Sequence, residues 1–158
     1  MDTEEKKELL KKVPYGLYVI GVKRGEEING FTATWLSQIS FVPPMIMIGV
    51  QRKSLAFEMI QEGKVFVINF LSKDQQEVAK TFFRPSRIEG NTMGGYAYHT
   101  DVTGAPILED STGYLECKVN EIAGTGDHAI VVGEIINAKV KKNVDNLILS
   151  DTNWNYSG

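Results

Sequence analysis

The sequence contains almost no cysteine and no long hydrophobic run. Cys117 is the only cysteine among 158 residues, which excludes an internal disulfide and any cysteine-based metal site within one chain. The longest apolar run, residues 43–50, is far too short to span a membrane. The first residues are mostly charged and no apolar stretch follows them, so we expect no secretory signal and a cytoplasmic location.

A strong excess of charge of one sign is also missing. The chain has 17 Lys and Arg against 20 Asp and Glu, a net charge of −3. A nucleic-acid binder neutralises phosphates with clustered Lys and Arg, so that class is not expected. The hydrophobic fraction of 42% is too high for a disordered chain. The length predicts one domain over residues 1–158.

The hydrophobic patterns predict about six strands and a few short helices. The strands are expected at residues 16–23, 28–34, 45–50, 65–71, 114–122 and 129–141, and the helices at 2–12, 54–61 and 72–81, with Gly63 ending the second helix. Because these elements do not alternate as in a parallel sheet, the pattern favours a closed antiparallel barrel capped by helices. Residues 86–113 read as a long loop, which in a compact domain is usually functional or packed on another surface.

The segment 29–44 has the richest mixture of groups that bind a ligand. It carries four hydroxyls, two amides and one indole, on Thr32, Thr34, Ser37, Ser40, Asn29, Gln38 and Trp35. Hydroxyls can bind phosphate, amides can read a ring edge, and an aromatic side chain can cover a ring face. Arg52, Lys53 and Ser54 follow at a predicted helix N-terminus, a favourable place for phosphate. A polar edge strand and an ordinary helix cap explain the same residues equally well.

These segments resemble the flavin reductase-like family in their order and spacing. The similarity runs from about residue 15 to residue 140 and rests on Thr32-Ala33-Thr34-Trp35, Ser40, Pro43-Pro44, Arg52-Lys53-Ser54, Val67-Ile68-Asn69-Phe70-Leu71, and Gly126-Asp127-His128 followed by Ile130-Val131-Val132-Gly133-Glu134. The resemblance implies a mainly β fold, a six-stranded antiparallel Greek-key split barrel that binds FMN without a covalent bond. It also implies a homodimer.

The resemblance further implies roles for individual residues. The residues that would line the ring system and the ribityl chain are Asn29, Thr32, Ala33, Thr34, Trp35, Leu36, Ser37 and Gln38. Those that would lie near the phosphate are Ser40, Arg52, Lys53 and Ser54. Those that would lie near the flavin, at the end of a strand, are Asn69, Phe70 and Leu71. His128 would lie where a nicotinamide approaches. No residue is expected to bind a metal.

The family points to an NAD(P)H:flavin oxidoreductase, in which hydride passes from the nicotinamide to the flavin. No Gly-x-Gly-x-x-Gly follows a strand, so NADH or NADPH would have to share the flavin pocket. A second hypothesis is a flavoredoxin-like electron carrier. Trp35 favours it, because many stand-alone reductases have Ser-Ser-Phe where this chain has Thr34-Trp35-Leu36. Possible acceptors are a rubredoxin-like, flavodiiron or monooxygenase component. A third hypothesis, the least favoured, is a ligand-binding barrel without catalysis.

Four further residues have simpler interpretations. His99 is expected to be a loop or interface histidine rather than a base. Cys117 alternates with charged neighbours along residues 114–122 and should point into the core, with Glu116 facing outward. For Trp154 and Tyr156 two alternatives stay open: they pack on the cofactor or a neighbouring subunit, or they belong to a loose tail.

Overall fold

The computed structural model describes residues 1–157 and is built mainly from antiparallel strands. In chain order the elements are α1 (Thr3–Leu10), β1 (Tyr18–Arg24), β2 (Glu27–Ala33), β3 (Leu36–Ser40), β4 (Met45–Gln51), α2 (Leu55–Gly63), β5 (Val65–Phe70), α3 (Gln76–Thr81), β6 (Ile88–Glu89), β7 (Thr92–Met93), β8 (Tyr96–His99), β9 (Ile107–Leu108), β10 (Gly113–Ala123), β11 (His128–Val140) and a 3₁₀ turn at Leu149–Asp151. No helix within residues 1–157 is long and apolar enough to cross a membrane.

The main sheet has seven strands in the order β2-β1-β5-β10-β11-β4-β3. The prediction of a mainly β, antiparallel fold with short helices is therefore confirmed, but the count of six strands is wrong. The extra strand is β3, which the sequence placed in a loop. It lies at the sheet edge, pairs only with β4, and leaves its middle residues exposed, so it lacks the apolar alternation that identifies a strand. Hydrogen bonds do not close the described sheet into a barrel, because β2 and β3 are its two edges.

The core lies between the sheet and helix α2. Ile20, Ile48, Phe66 and Ile68 are fully buried, and they pack against apolar residues of the helix. Helix α2 begins after Ser54, whose Oγ accepts a hydrogen bond from the backbone N–H of Phe57 at 3.1 Å. This cap fixes the position of the helix N-terminus, which faces the candidate site described below.

The sequence predicts that Gly63 ends α2 as a helix-terminating glycine, but it is the absence of a side chain that is needed there. The residue with the left-handed conformation is Lys64, with φ of 59°. A Cβ added to Gly63 would lie 1.7 Å from the carbonyl oxygen of Lys23. Gly63 therefore allows the end of α2 to touch the backbone of β1, and it does not itself turn the chain.

The predicted loop 86–113 is instead largely organised into a second, four-stranded sheet in the order β6-β7-β8-β9. Its strands have two to four residues each, too few to produce a readable hydrophobic period. Met93 and Leu108 from this sheet join Phe82 and Leu17 in a second hydrophobic cluster. That cluster holds the chain after α3 against the main sheet.

Strand β10 shifts its register against β11 twice, between Glu116 and Cys117 and between Val119 and Glu121. At the first shift both side chains are fully buried, which breaks the predicted alternation. The Glu116 carboxylate accepts hydrogen bonds from Thr103 N and Oγ1 at 2.8 and 2.7 Å and from Asn137 Nδ2 at 2.7 Å. The outward position predicted for Glu116 is therefore wrong, while the core position of Cys117 is confirmed. Burial raises the pKa of the Cys117 thiol to about 12.

Candidate cleft between strand β2, helix α2 and the C-terminal segment

A cleft of about 700 Å³ is the main concavity of the described chain. Its walls come from β2, the start of α2, the chain after α3, the first residue of β11 and the C-terminal segment. The lining residues are Leu17, Asn29, Gly30, Phe31, Thr32, Ala33, Thr34, Trp35, Gly49, Gln51, Lys53, Ser54, Leu55, Ala56, Phe82, Phe83, Arg84, Pro85, His128, Leu149, Trp154, Asn155 and Tyr156. Two are cationic, and none of the lining residues is an aspartate or glutamate. This size and polarity suit an anionic organic ligand.

Two cationic side chains line the cleft. Lys53 lies with Ser54 at the N-terminus of the nine-residue helix α2, and Arg84 follows α3. Lys53 and Arg84 are exposed, and neither forms an ion pair within residues 1–157. The helix N-terminus adds backbone N–H groups and a partial positive charge. An anion such as a phosphate group fits this group of residues, which we call the cationic end.

Asn29 and Thr32 line the cleft, but their side chains are used to build its wall. Asn29 Oδ1 accepts hydrogen bonds from the backbone N–H groups of Ser86 at 2.9 Å and Gly30 at 2.8 Å. Its Nδ2 donates to the Ser86 carbonyl at 3.2 Å. Thr32 Oγ1 donates to the Ala79 carbonyl at 2.6 Å. These bonds tie residues 79–86, and with them Arg84, to strand β2.

Three rings, those of Trp35, His128 and Tyr156, form another group in the lining, and we call this group the aromatic end. The centroid of Trp35 lies 4.5 Å from that of His128 and 5.4 Å from that of Tyr156. Gly49 on β4 makes room for the indole, because a Cβ added there would lie 2.9 Å from Trp35 Cε3. The Gly49 N–H also donates to the Trp35 carbonyl at 2.8 Å. Trp35 is thus fixed against the sheet with one side toward the cleft.

Polar contacts at the aromatic end run through His128. Its Nδ1 lies 2.9 Å from Asp127 Oδ1, and its Nε2 lies 2.7 Å from the Tyr156 hydroxyl. The ionised carboxylate only accepts, so Nδ1 carries a proton, and the hydrogen bond that it donates is the main cause of the lowered pKa of Asp127. Burial, with a smaller contribution from the Asp127 charge, raises the pKa of Tyr156. The phenol therefore keeps its proton and can donate to Nε2 of a neutral imidazole.

Two polar atoms of the lining residues have no partner within residues 1–157. These are Thr34 Oγ1 and Trp35 Nε1, and both are buried. A buried polar group without a hydrogen bond is unfavourable by about 1–3 kcal/mol, and most native proteins avoid it. Both atoms are buried inside the protein, so a ligand with polar ring atoms could bond to them only after a covering side chain moves. The cationic and aromatic lining residues fit a flavin nucleotide in charge and in ring contacts.

Three of the predicted site residues lie outside the cleft because their side chains serve the fold. Asn69 is fully buried, donates to the carbonyls of Val19 and Pro106 at 3.1 and 3.3 Å, and accepts from Leu108 N–H at 2.8 Å. Phe70 packs edge-on against Tyr18, with ring centroids 5.4 Å apart. Leu71 is fully buried in the second hydrophobic cluster. None of the three lines the cleft.

The residues of β3 and Arg52 also fall outside the lining. Leu36, Ser37, Gln38 and Ser40 belong to the edge strand, which turns away from the cleft after Trp35. The Arg52 guanidinium donates to the Gly126 carbonyl at 2.9 Å and also to those of Gly124 and Ala123. Arg52 therefore holds the turn before His128 and is not positioned as a phosphate ligand.

Sequence reasoning missed several residues of the cleft. Arg84 and Phe83 carry no local motif, and they reach the cleft only because Asn29 and Thr32 hold their segment in place. Trp154 and Tyr156 were recognised as candidates for cofactor or interface packing, and the structure places both in the cleft lining. Within residues 1–157 no group of three or more His, Cys, Asp and Glu side chains is arranged to hold a metal ion.

Comparison with known proteins points to one family. The chain is 34% identical over 143 residues to the high molecular weight rubredoxin of Moorella thermoacetica, matching 89% of this chain and 60% of that protein. It is 32% identical over 132 residues to diflavin flavoprotein A 1 of Synechocystis, matching 83% of this chain and 23% of that protein. The chain thus spans only part of the length of these relatives.

Solved structures share the fold. The flavin reductase HpaC, solved in complex with NADP⁺, superposes with a TM-score of 0.74 at 25% identity, covering 94% of this chain and 99% of that chain. The model of the flavin reductase like domain matches residues 10–157. That match includes every wall of the cleft, from Leu17 to Tyr156. The chain therefore belongs to the flavin reductase like domain family.

Proposed function

We propose that the chain binds FMN non-covalently in this cleft and acts as an NAD(P)H-dependent flavin oxidoreductase. The observation that carries the proposal is a cleft lining with two cationic side chains, a helix N-terminus and three clustered rings, and with no acidic side chain. A phosphate beside the cationic side chains and a flat polar ring beside the aromatic ones would satisfy both groups. The resemblance favours FMN over FAD.

The residues of the chain would bind and orient, while the bound flavin would supply the hydride-accepting chemistry. Lys53, Arg84 and the N-terminus of α2 would hold the phosphate. Trp35 would contact the ring system. The Thr34 hydroxyl and the Trp35 indole N–H are buried without partners and would bond to polar atoms of the ligand once a covering side chain moves.

His128 would act where the nicotinamide approaches. Its Nδ1 contacts Asp127 and its Nε2 contacts Tyr156, so the Asp127 contact can hold the orientation of the imidazole while Nε2 faces a ligand. A fixed donor or acceptor beside developing charge stabilises a transition state more than a mobile one. In this role His128 positions the hydride donor and abstracts no proton.

Flavin content tests the proposal directly. The purified protein should be yellow, and acid precipitation should release FMN into the supernatant, where chromatography distinguishes it from FAD and riboflavin. The idea fails if the protein is colourless and added FMN does not bind. Recovery of FAD alone would retain the cleft assignment but overturn the choice of cofactor.

A second function, electron transfer between protein partners, is favoured by one observation. Tyr156 packs against Trp35 and His128, with ring centroids 5.4 and 5.8 Å apart, and takes up space that a nicotinamide would need beside them. The names of the two relatives, a rubredoxin and a diflavin flavoprotein, make a redox protein a reasonable acceptor. Anaerobic stopped-flow mixing of the FMN-loaded protein with NADH and then NADPH separates the two functions. Fast bleaching of the flavin supports the reductase, and slow or absent bleaching supports the carrier.

We also propose a homodimer located in the cytoplasm. The turn after edge strand β3 exposes Phe41 and Val42, at 85% and 91% of their surface, beside a strand with one unpaired edge. Exposed apolar residues at a sheet edge support association with another chain. Light scattering at micromolar concentration should give twice the mass of the chain, and a monomer that still binds FMN would contradict the dimer.

A further inference from the structure

Tyr156 is held at the aromatic end by two different contacts. Its hydroxyl lies 2.7 Å from His128 Nε2, and its ring centroid lies 5.4 Å from that of Trp35 and 5.8 Å from that of His128. The three rings therefore form one cluster with a polar contact inside it. Because of this cluster, the phenol occupies space beside Trp35 and His128 that a ligand could otherwise use.

The segment that carries Tyr156 is only weakly tied to the sheet. Beyond Thr152, none of the backbone groups up to Ser157 forms a backbone hydrogen bond with the rest of the described chain. The remaining ties are side-chain contacts, chiefly the Tyr156–His128 bond and the edge-on packing of Trp154 on Phe83 at 4.8 Å. Tyr156 keeps 46% of its surface exposed. Segments with few backbone bonds open at low free-energy cost.

We propose that Tyr156 is a gate that closes the aromatic end of the cleft and must leave before a second flat ring can reach Trp35 and His128. The inference rests on the proposed function for the identity of that ring, which would be the nicotinamide. The gate itself rests only on contacts within this chain. In the closed state the phenol donates to His128 Nε2, and in the open state His128 is free to contact the entering ring.

A gate of this kind sets the apparent affinity for the second ligand. The observed dissociation constant equals the intrinsic one divided by the fraction of molecules that are open. Loss of the single Tyr156–His128 hydrogen bond should raise the ratio of open to closed molecules by about twofold to tenfold, the range expected for one such bond. Affinity for the second ring should rise by the same factor if the closed state dominates.

The first experiment measures the gate without any flavin. The chain has two tryptophans, so Trp154→Phe leaves Trp35 as the only one and keeps an aromatic ring against Phe83. In this background, quenching of Trp35 fluorescence by acrylamide should increase by about twofold to tenfold on Tyr156→Phe, the shift set by one hydrogen bond. Tyr156→Ala should increase it at least as much.

The matched control is Tyr98→Phe in the same background. The Tyr98 hydroxyl also donates one exposed hydrogen bond, to the Gly90 carbonyl at 3.3 Å, and Tyr98 does not line the cleft. Quenching should not change in this variant. If Tyr156→Phe and Tyr156→Ala both leave quenching unchanged, the phenol does not cover Trp35 and the gate is wrong.

The second experiment uses the FMN-loaded protein and separates entry from chemistry. Tyr156→Phe should lower KM for NADH by about twofold to tenfold, because the open fraction rises. A higher KM would mean that the hydroxyl contacts the nicotinamide directly, which overturns the gate. If quenching rises as expected but NADH reduces neither the parent nor the variant, the gate stands as a cover of Trp35 and the reductase function fails.

Discussion

The two ends of the cleft differ in how their polar groups are satisfied. At the cationic end Lys53 and Arg84 make no ion pair within the described chain, and solvent or a ligand must neutralise them. At the aromatic end His128 has partners at both nitrogens, Asp127 and Tyr156. The first end is therefore ready for an anion, whereas the second must exchange an internal contact for a ligand contact.

This difference separates the residues expected to control cofactor affinity from those expected to control the reduction rate. Groups that are free before binding contribute to holding the cofactor, since no protein contact has to break. Groups already paired, such as His128 with Tyr156, control a later step, because their rearrangement precedes or accompanies entry of the second ring. Substitutions at the cationic end should change cofactor affinity, and those at the aromatic end should change the reduction rate.

The largest effect is expected at the aromatic end. His128→Ala should leave FMN bound and slow its reduction by NAD(P)H by roughly tenfold to a thousandfold, the range for loss of one preorganised contact in a transition state. Anaerobic stopped-flow absorbance measures the rate, and quenching of flavin fluorescence measures affinity. Loss of FMN would instead place His128 in the cofactor site and erase the distinction between the two ends.

The next effect is expected from Lys53→Ala. A charge-assisted hydrogen bond contributes roughly 1.5–3 kcal/mol, so FMN affinity should fall about tenfold to a hundredfold. Riboflavin, which lacks the phosphate, should bind as before, and titration with both ligands gives the comparison. Arg52→Ala is the matched control, because Arg52 holds the 123–126 turn and its loss should affect both ligands equally. Equal losses for Lys53→Ala would refute its contact with phosphate.

A smaller effect is expected from Arg84→Ala. Arg84 is exposed in the lining of the cleft, and solvent and salt weaken interactions of exposed charges. FMN affinity should fall about threefold to tenfold at low salt, the size expected for a partly screened contact, and the difference from the parent should shrink at high salt. A salt-independent loss would mean that Arg84 acts on the shape of the wall rather than through its charge.

The fold can be predicted from the sequence wherever burial produces a regular pattern of apolar residues. Strand β5 is predictable because four of its six residues are buried, and β11 because its first half contains the buried residues Ala129, Val131 and Val132. Edge strand β3 and the short strands β6 to β9 are not, since an exposed edge and a two-residue strand leave no pattern. Glu116 was misplaced because a shift in register at that residue cannot be read from alternation.

The site was predictable only in part, for a related reason. Arg52 and Lys53 are neighbours with the same charge, yet one clamps three carbonyls and the other stays free. Asn29 and Asn69 are both buried amides on strands, yet only Asn29 lines the cleft. Residue type indicates which contacts are possible, and tertiary structure decides which partner takes them.

The smallest effect is expected from Thr34→Val. This substitution should raise the stability of the ligand-free protein and lower its affinity for FMN. The Thr34 hydroxyl is buried without a partner within residues 1–157, so removing it should raise the free energy of unfolding of the ligand-free protein by about 1 kcal/mol. If the hydroxyl bonds to the flavin, affinity should fall by about threefold to tenfold, as for loss of one neutral hydrogen bond. Urea unfolding and FMN titration measure the two quantities.

Thr32→Val provides the contrast, because the Thr32 hydroxyl already donates to the Ala79 carbonyl at 2.6 Å. Its loss should lower the free energy of unfolding by about 1 kcal/mol, the typical contribution of one intramolecular hydrogen bond. Unchanged FMN affinity in Thr34→Val would remove this hydroxyl from the site. A fall in stability would show that the hydroxyl has a partner in the free protein and is not available to a ligand.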